Sequence, residues 1–270
     1  MRYSTKISVV VTCYNQEKYI QECLNSLVNQ TFDDFEVVVV DDGSSDNSLK
    51  IIYSFLRKIK KLKVIEQENQ GVISARNNGI NQSCGEYIYT LDGDDYLDEK
   101  TIQCVYDAAL LGKGDVITTN ARCFGRQNFP LYFNSINKIN MSGINCLLNA
   151  ALFKKSDFIK AGGYDERFKE GFEDYDLWLN FLFNLNLRFY RVSSYMYFYR
   201  LKNVEESRNF YAVERHKKEL LNLLEKKYPK IILYKILYKI KKFIFFKRYS
   251  IRKKSYIYTF FYLFKFSFNK

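Results

Sequence analysis

The sequence predicts an α/β domain whose central, mostly parallel sheet is flanked by helices. Short apolar runs alternate with segments of helical spacing through the first 120 residues. The apolar runs are nearly continuous and rich in β-branched residues, which is typical of strands that are buried on both faces. The connections between these segments are short, and an alternation of strands and helices favours parallel pairing of successive strands.

The first half of the chain contains five predicted strands and four predicted helices. The strands lie at residues 7–12, 36–41, 63–67, 87–91 and 116–120. The helices lie at residues 17–29, 46–58, 72–83 and 100–111. Apolar residues of the first helix recur on one face, Asp46 is a suitable N-cap for the second, and Gly71 precedes the third.

The second half is less regular. Residues 122–140 are rich in Asn and aromatic side chains and are expected to be irregular. A helix is predicted at residues 173–185, a strand at 188–192 and a polar helix at 205–227. We therefore expect a catalytic domain at residues 1–214 and a basic, aromatic-rich helical tail at residues 215–270.

Charge is distributed unevenly along the chain. The formal net charge is +12, but residues 215–270 alone carry 17 basic and two acidic side chains. The body is therefore slightly acidic, with a balance of −3. His216 is the single histidine, which argues against a Ser-His-Asp triad or a multi-histidine metal site and leaves carboxylates to carry the chemistry.

Cysteine usage and hydropathy indicate a cytoplasmic protein. The six cysteines are scattered without the spacing of a zinc site, and we expect them to be free thiols. The sequence has no uncharged apolar run of about 18 residues that would span a bilayer. The first residues resemble a strand rather than a signal peptide.

Acidic turns follow two of the predicted strands, at the sheet edge where open α/β folds bind ligands. The second strand is followed by Asp41-Asp42-Gly43, and the fourth by Asp92-Gly93-Asp94-Asp95. Carboxylates clustered in this way suit Mg²⁺ or Mn²⁺, and Gly93 would keep the approach of phosphates open. The alternative is an ordinary solvated turn.

Two further groups of residues are candidates for a site. Arg76 lies in a run of small residues and could bind a diphosphate, although an isolated arginine is more often part of a surface ion pair. Glu173, Asp174 and Asp176 open the helix at 173–185, where the helix dipole alone would favour acids. A carboxylate there could also act as a general base.

These motifs together resemble the family 2 glycosyltransferases, which are inverting enzymes of the GT-A fold. The resemblance extends over residues 6–200. It is carried by the run from Ile7 to Asn15, by Val40 to Asp46, by Gly71 to Gly79, by Leu91 to Asp95, and by Gly162 to Phe168 followed by Glu173-Asp174.

The resemblance implies specific roles at the donor site. Thr12 and Tyr14 would hold the nucleotide base, with the Tyr14 ring stacked on it. Asp41 would accept a hydrogen bond from uracil N3–H, which favours a UDP-sugar donor. Arg76 would contact the diphosphate.

The resemblance also implies the catalytic groups. Asp92 and Asp94 form the family's Asp-x-Asp motif, in which both would serve an Mn²⁺ or Mg²⁺ ion, with Asp94 as its ligand and Asp92 near the ribose or sugar. Asp174 resembles the catalytic base, and Glu173 competes for that role. A single displacement with inversion would follow, in a metal-dependent reaction.

The sequence departs from the family pattern in two places. Many relatives have a histidine where this chain has Lys202, and a protonated lysine cannot coordinate a metal but could neutralise a diphosphate as a point charge. The Gln-x-x-Arg-Trp motif of processive members is also absent. The expected function is therefore the addition of one sugar to a glycan or lipid-linked acceptor in cell-surface polysaccharide biosynthesis.

Residues 228–270 interleave Lys and Arg with aromatic and aliphatic residues at helical spacing. Basic amphipathic helices of this kind bind anionic membrane surfaces, so we expect peripheral attachment to the inner face of the cytoplasmic membrane and no nucleic-acid partner. Packing of this helix on the body is the alternative. For the whole chain, the alternatives are a nucleotidyltransferase, which lacks support in the loop after the first strand, and a non-catalytic nucleotide-sugar-binding or membrane-scaffolding relative.

Overall fold

The protein is described by a computed structural model that covers residues 5–202 and 208–250. Its strands join into one sheet. They are β1 (Thr5–Cys13), β2 (Phe35–Asp41), β3 (Leu62–Glu66), β4 (Gly85–Asp92), β5 (Tyr96–Leu97), β6 (Val116–Gly125), β7 (Phe129–Pro130), β8 (Leu152–Lys154) and β9 (Phe189–Leu201). The strand order is β3-β2-β1-β4-β8-β6-β9-β5, with β7 paired to β6.

The longest ladders of the sheet are parallel. Strands β3, β2, β1 and β4 pair in parallel, and so do β6 and β9. Short antiparallel ladders connect β8 to β4 and to β6. The carboxyl ends of β1, β2 and β4 therefore meet at one edge, where Thr12 is in register with both Val40 and Asp92.

Helices cover both faces of the sheet. They are α1 (Ile20–Val28), α2 (Ser48–Ser54), α3 (Val72–Gln82), α4 (Thr101–Leu110), α5 (Lys138–Met141), α6 (Lys155–Ala161), α7 (Glu173–Phe183), α8 (Arg208–Lys227) and α9 (Lys230–Ser250). A 3₁₀ turn lies at Glu166–Phe168.

Alternate side chains of the sheet enter two separate cores. Val9 and Val11 pack with helices α1 and α4, whereas Val10 packs with α3 and α7 on the other face. This alternation follows from the two-residue period of a strand. Trp178 is fully buried in the second of these cores. The result is the predicted three-layer α/β arrangement.

The nine predicted elements of the first half are all present, with ends that differ by a few residues. Asp46 does not occupy the N-cap itself, which is Asn47, but its carboxylate accepts a 2.9 Å hydrogen bond from the Ser48 N–H. Gly71 is the N-cap of α3 and has a φ of 88°. All six cysteines are free, as expected.

The prediction of an irregular segment at residues 122–140 was partly wrong. Strand β6 continues to Gly125, β7 follows at Phe129–Pro130, and α5 begins at Lys138. The predicted strand at 188–192 is likewise the start of the 13-residue β9. Both extensions depend on pairing between β6 and β9, which are distant in sequence.

The beginning of the C-terminal segment packs on the body. Leu220, Leu224, Tyr228 and Ile231 are buried in the core that also contains Trp178. The predicted polar helix appears as α8, while residues 203–207 lie outside the described part. The predicted tail helix appears as α9, and residues 251–270 of the predicted membrane-binding tail also lie outside the described residues. Within the described ranges, no helix is long and apolar enough to cross a membrane.

Candidate active site

The loops that follow β1 and β2 hold each other at the carboxyl edge of the sheet. The Asn15 N–H donates to Ser44 Oγ at 2.9 Å, and the Ser45 N–H donates to Asn15 Oδ1 at 2.8 Å. The Gln16 N–H donates to Ser48 Oγ at 2.7 Å. Asn15 has a φ of 51°, a left-handed conformation that asparagine tolerates better than most residues. These bonds fix the two loops relative to each other.

Asp41 is the last residue of β2 and precedes the second of these loops. The residue is only 2% exposed, and its Oδ2 accepts a 3.0 Å hydrogen bond from the Ser44 N–H. Its Oδ1 is buried and has no hydrogen-bond partner within the described residues. A buried acceptor without a partner is costly, so this oxygen is suited to a donor group of a ligand. Thr12 is buried and Tyr14 is half-buried on the loop side of the same edge.

Asp42 has a structural role that the sequence did not reveal. Its carboxylate accepts hydrogen bonds from Gln67 Nε2 at 2.7 Å and from the N–H groups of Gln70 and Gly71 at 2.9 and 2.8 Å. The loop that leads into α3 is therefore tied to the end of β2. This connection positions the first turns of α3, which carries Arg76.

Arg76 links the Asp92–Asp95 turn to the start of α7. Its Nη2 lies 2.7 Å from Asp92 Oδ1, and its Nη1 lies 2.7 Å from Glu173 Oε1. The arginine is 4% exposed, and its guanidinium lies 5.5 Å from the centre of the Tyr164 ring. The two carboxylates thus each bind one of the two terminal nitrogens of the guanidinium group. Its predicted contact with a diphosphate stays a prediction.

Gly93 serves a different purpose from the one predicted. A Cβ at this position would lie 2.8 Å from the Thr12 carbonyl oxygen and 3.1 Å from Ile20 Cδ1. The glycine is therefore required by close packing of the Asp92–Asp95 turn against β1, and its Cα faces the protein. The Gly93 N–H completes this contact with a 2.9 Å hydrogen bond to the same Thr12 oxygen.

Strand β9 holds the other side of this turn. Arg200 donates from its Nε to the Asp94 carbonyl oxygen at 2.7 Å, and its N–H donates to Asp95 Oδ1 at 2.7 Å. Asp95 also accepts a hydrogen bond from the Tyr197 hydroxyl. Burial, together with the charges of Asp94 and Asp92, raises the pKa of Asp95 well above its usual range. Asp95 is thus a structural member of the motif.

Lys202 lies directly after β9 and pairs with the second aspartate of the motif. Its Nζ is 2.6 Å from Asp94 Oδ2 and 3.0 Å from Gln16 Oε1. Asp92 and Asp94 are thus each paired with a cationic side chain. Among the described residues, no group of three His, Cys, Asp or Glu side chains is arranged to hold a metal ion. The two ion pairs occupy carboxylate oxygens that the predicted divalent-cation site would use.

Asp174 lies in the first turn of α7, next to the Arg76 ion pair. The Tyr175 N–H donates to its Oδ1 at 2.6 Å, and Asn145 Nδ2 donates to its Oδ2 at 3.1 Å. Burial and the negative charge of Glu173 raise the pKa of Asp174 to about 7. A carboxylate with such a pKa can accept a proton near neutral pH, which is the property a general base requires.

The backbone before Asp174 is unusual. Phe172, the N-cap of α7, has a φ of 65°, and Gly171 has a φ of 129°. A left-handed conformation at a non-glycine aromatic residue stores strain of the kind found at functional sites. It turns the chain sharply into α7, so that Glu173 and Asp174 both lie at the site.

The structure brings together most of the predicted site residues. Arg76 contacts Asp92, Thr12 Oγ1 lies 3.4 Å from Asp92 Oδ1, and Asp94 lies in the same turn. Asp174 is connected to this group through its neighbour Glu173. Sequence reasoning missed Asp42, Asn145 and Arg200, because each acts through a partner that is remote in sequence.

Asn77 is another residue whose role was missed, although it follows Arg76 directly. Its side chain donates to the Tyr164 carbonyl oxygen and accepts from the Tyr164 N–H, both at 2.9 Å. This pair of bonds fixes the turn at Gly162 and Gly163 against α3. The position of Asn77 directly after Arg76 was the sequence signal that could have indicated this role.

The sequence is similar to those of known proteins over much of its length. The family model described as "Glycosyl transferase family 2" matches residues 8–165. The glycosyltransferases GlyG and GlyA of Streptococcus pneumoniae are 37% and 35% identical over 131 and 134 residues, which are 48% and 50% of this chain. These regions are 44% and 19% of the two relatives, so the matched part of the chain spans less than half of either.

A solved structure is similar over a larger part of the chain. The crystal structure of Staphylococcus aureus TarS 1–349 in complex with UDP-GlcNAc has a TM-score of 0.65 and 25% sequence identity, and the match covers 80% of this chain and 67% of that one. The predicted GT-A fold is therefore confirmed. Since the family model spans more than half of the sequence, the chain belongs to glycosyl transferase family 2.

Proposed function

We propose that the protein transfers a single sugar from a UDP-sugar to a hydroxyl group of a glycan or lipid-linked glycan, with inversion, in the biosynthesis of a cell-surface polysaccharide. The observation that carries this proposal is Asp174, a carboxylate with a pKa raised to about 7 whose neighbour Glu173 pairs with Arg76. Membership of glycosyl transferase family 2 supports the reaction class.

The donor class is supported by two observations. The buried Asp41 Oδ1 has no partner within the described residues, and the N3–H of uracil would supply one. TarS, a protein of similar fold, binds UDP-GlcNAc in its crystal structure. We propose that Thr12 and Tyr14 contact the base beside Asp41, with the Tyr14 ring stacked on it.

The proposed chemical step is one displacement. The acceptor oxygen attacks the anomeric carbon, and a new C–O bond forms as the bond from that carbon to the diphosphate oxygen breaks. The electron pair leaves with the nucleoside diphosphate, and the proton of the acceptor hydroxyl passes to Asp174. Attack from the face opposite the leaving group inverts the configuration.

An Asp174→Asn variant tests this assignment. An amide cannot accept the proton, so we expect turnover to fall by about 10²–10⁴-fold while the donor is still bound. A panel of UDP- and GDP-sugars is first screened by thermal stabilisation, and sugar transfer and donor hydrolysis are then measured with the donor that binds.

Glu173→Gln is the matched variant, because it removes the neighbouring carboxylate and leaves Asp174. We expect weaker donor binding, through loss of the Arg76 contact, and a smaller loss of turnover. A larger loss of turnover in Glu173→Gln than in Asp174→Asn would assign the base to Glu173. A wild-type protein that binds a nucleotide sugar without any turnover would instead support a non-catalytic relative.

We also propose that the protein works at the inner face of the cytoplasmic membrane, bound through α9 to anionic lipid. Six apolar residues of α9 are exposed, at positions 232, 233, 236, 237, 240 and 243, and lysines flank them. Such a helix can lie in the interface between headgroups and acyl chains. Binding to anionic vesicles is the measurement that tests this.

A further inference from the structure

We propose that the ammonium group of Lys202 provides the cationic charge at the Asp-x-Asp motif, so that the protein binds the diphosphate of its donor without a divalent metal ion. This inference rests on the proposed function, because it concerns the nucleotide diphosphate of the same donor.

The position of Lys202 is well defined by its contacts. Its Nζ lies 2.6 Å from Asp94 Oδ2 and 3.0 Å from Gln16 Oε1. The Lys202 and Asp94 side chains are 15% and 22% exposed, so the pair is largely shielded from water but still accessible to a ligand. The ammonium also lies 5.1 Å from the centre of the Tyr19 ring, which favours a cation.

Contacts of Arg200 hold the part of β9 that leads to Lys202. Two residues earlier, Arg200 donates from its Nε to the Asp94 carbonyl oxygen and from its N–H to Asp95 Oδ1, both at 2.7 Å. Gln16 belongs to the loop after β1, and its own N–H donates to Ser48 Oγ at 2.7 Å. Lys202 therefore lies between the loop after β1 and the Asp92–Asp95 turn. Asp92 in this turn also pairs with Arg76, the residue predicted to contact the diphosphate.

The carboxylates beside Lys202 are unsuitable for a dication in this arrangement. Asp94 Oδ2 is paired with the ammonium, and Asp92 Oδ1 is paired with the buried guanidinium of Arg76. A divalent ion at Asp94 would have to displace Lys202 or tolerate a like charge beside it. Mg²⁺ and Mn²⁺ prefer several oxygen ligands, and a protonated lysine supplies none.

An ammonium group can perform the electrostatic part of the reaction. As the bond between the anomeric carbon and the diphosphate oxygen breaks, negative charge develops on the leaving diphosphate. Lys202 has three N–H donors and a compact positive charge that would contact this group directly. It stabilises the departing oxygen without transferring a proton, because the proton of the acceptor goes to Asp174.

The first arm of the test measures metal binding without nucleotide. The full chain is titrated with MnCl₂, and free Mn²⁺ is followed by electron paramagnetic resonance. We expect no Mn²⁺ binding by the wild type beyond that of Asp94→Asn, and new binding in Lys202→His, where an imidazole replaces the ammonium. Mn²⁺ binding by the wild type that is lost in Asp94→Asn would overturn the inference.

The second arm measures UDP binding by isothermal titration calorimetry, in EDTA and in MnCl₂. We expect wild-type affinities that agree within about twofold in the two buffers, and a loss of tenfold or more in Lys202→Ala. Lys202→Arg should restore part of the affinity. Lys113→Ala removes an exposed lysine at the opposite end of the sheet and serves as the charge control. Wild-type binding that requires Mn²⁺ would contradict the proposal.

The two arms separate this inference from the proposed function. If no nucleotide diphosphate binds the wild type in either buffer, the proposed donor is wrong, and the Mn²⁺ titration still decides whether Lys202 fills the cation position. Thermal unfolding of each variant confirms that it is folded. A Lys202→Ala variant that is folded and binds UDP as tightly as the wild type would exclude a role for the ammonium.

Discussion

The raised pKa of Asp174 predicts how activity depends on pH. The carboxylate must be deprotonated to accept the acceptor proton, and burial with the Glu173 charge raises its pKa to about 7. We therefore expect kcat/KM to fall about tenfold for each pH unit below 7 and to level off above it. The measurement is kcat/KM between pH 5 and pH 9 with the donor identified by the thermal screen.

Glu173→Gln supplies the control for this pH dependence. Removing a neighbouring negative charge makes the ionised form of Asp174 less unfavourable, so the acidic limb should move to lower pH. A limb that stays in place, or that moves to higher pH, would show that another group titrates. Asn145 donates to Asp174 Oδ2 in both proteins, so this hydrogen bond does not distinguish them.

At the scale of residues, the sequence predicted the carboxylates of the candidate site but not their partners. Asp92, Asp94 and Asp174 stand out because each follows a strand or opens a helix, which are local features. The contact of Arg76 with Glu173 joins residues 97 positions apart, and the pairing of Lys202 with Asp94 joins two loops. Such contacts depend on tertiary packing, which no local pattern records.

The same distinction holds at the scale of elements. Strands β1, β2 and β4 are almost entirely buried, as their apolar runs predicted, and β1, β2 and β3 pair in chain order. Strand β8 has only three residues and lies between β4 and β6, so neither its length nor its composition identified it. Strand β9 contains exposed aromatic residues, and its length is set by pairing with β6.

Close packing of α3 on the sheet yields a prediction for Gly79. A Cβ there would lie 2.6 Å from Val10 Cγ1 and 2.8 Å from Val40 Cγ2. We expect Gly79→Ala to lower the free energy of unfolding by about 1–3 kcal/mol, because overpacking outweighs the better helix propensity of alanine. Thermal or urea unfolding measures this change.

The effect of Gly79→Ala should reach the site as well as the core. Helix α3 carries Arg76 and Asn77, so displacement of the helix from the sheet should also weaken donor binding. Asn81→Ala is the matched control, because Asn81 is exposed near the end of the same helix. Equal stabilities for the two variants would show that the sheet accommodates a methyl group at Gly79.

At the scale of the whole molecule, the C-terminal helices are joined to the helix of the proposed base. Lys227 Nζ lies 2.7 Å from both Asp165 Oδ2 and Asp176 Oδ2, and the Tyr228 hydroxyl lies 2.8 Å from Asp176 Oδ1. Asp176 is two residues from Asp174 in α7. Removing the chain from residue 228 onward would therefore disturb α7, and point substitutions on α9 are the better probe of membrane binding.

Helix α9 has two different faces along its described length. On one side Ile231 is buried, Tyr238 packs against Gly143, and the Tyr234 ring contacts Phe183 at a centroid distance of 5.4 Å. On the other side the apolar residues at 232, 233, 236, 237, 240 and 243 are exposed. One side of α9 thus packs on the body, and the opposite side exposes apolar residues. The two alternatives that the sequence left open for this helix are therefore compatible.

The exposed face of α9 predicts how the protein binds lipid. We expect the wild type to bind vesicles of phosphatidylcholine and phosphatidylglycerol, and a variant with Leu233, Ile236 and Ile240 all replaced by serine to bind about 100-fold more weakly. The loss follows from about 1 kcal/mol for each half-inserted apolar side chain. Vesicle co-sedimentation measures the affinity. Added salt should weaken binding, because the lysines beside the exposed apolar face of α9 attract the anionic headgroups.

The matched control for lipid binding replaces Leu110 and Leu111 with serine. These residues are also exposed, at 64% and 73%, but they lie at the end of α4 and are not accompanied by a row of lysines like that of α9. They test whether any exposed apolar pair contributes to binding. If the α9 variant binds as the wild type does, the face does not contact lipid. If instead it abolishes self-association seen by size-exclusion chromatography, the natural occupant of the face is a second copy of the chain.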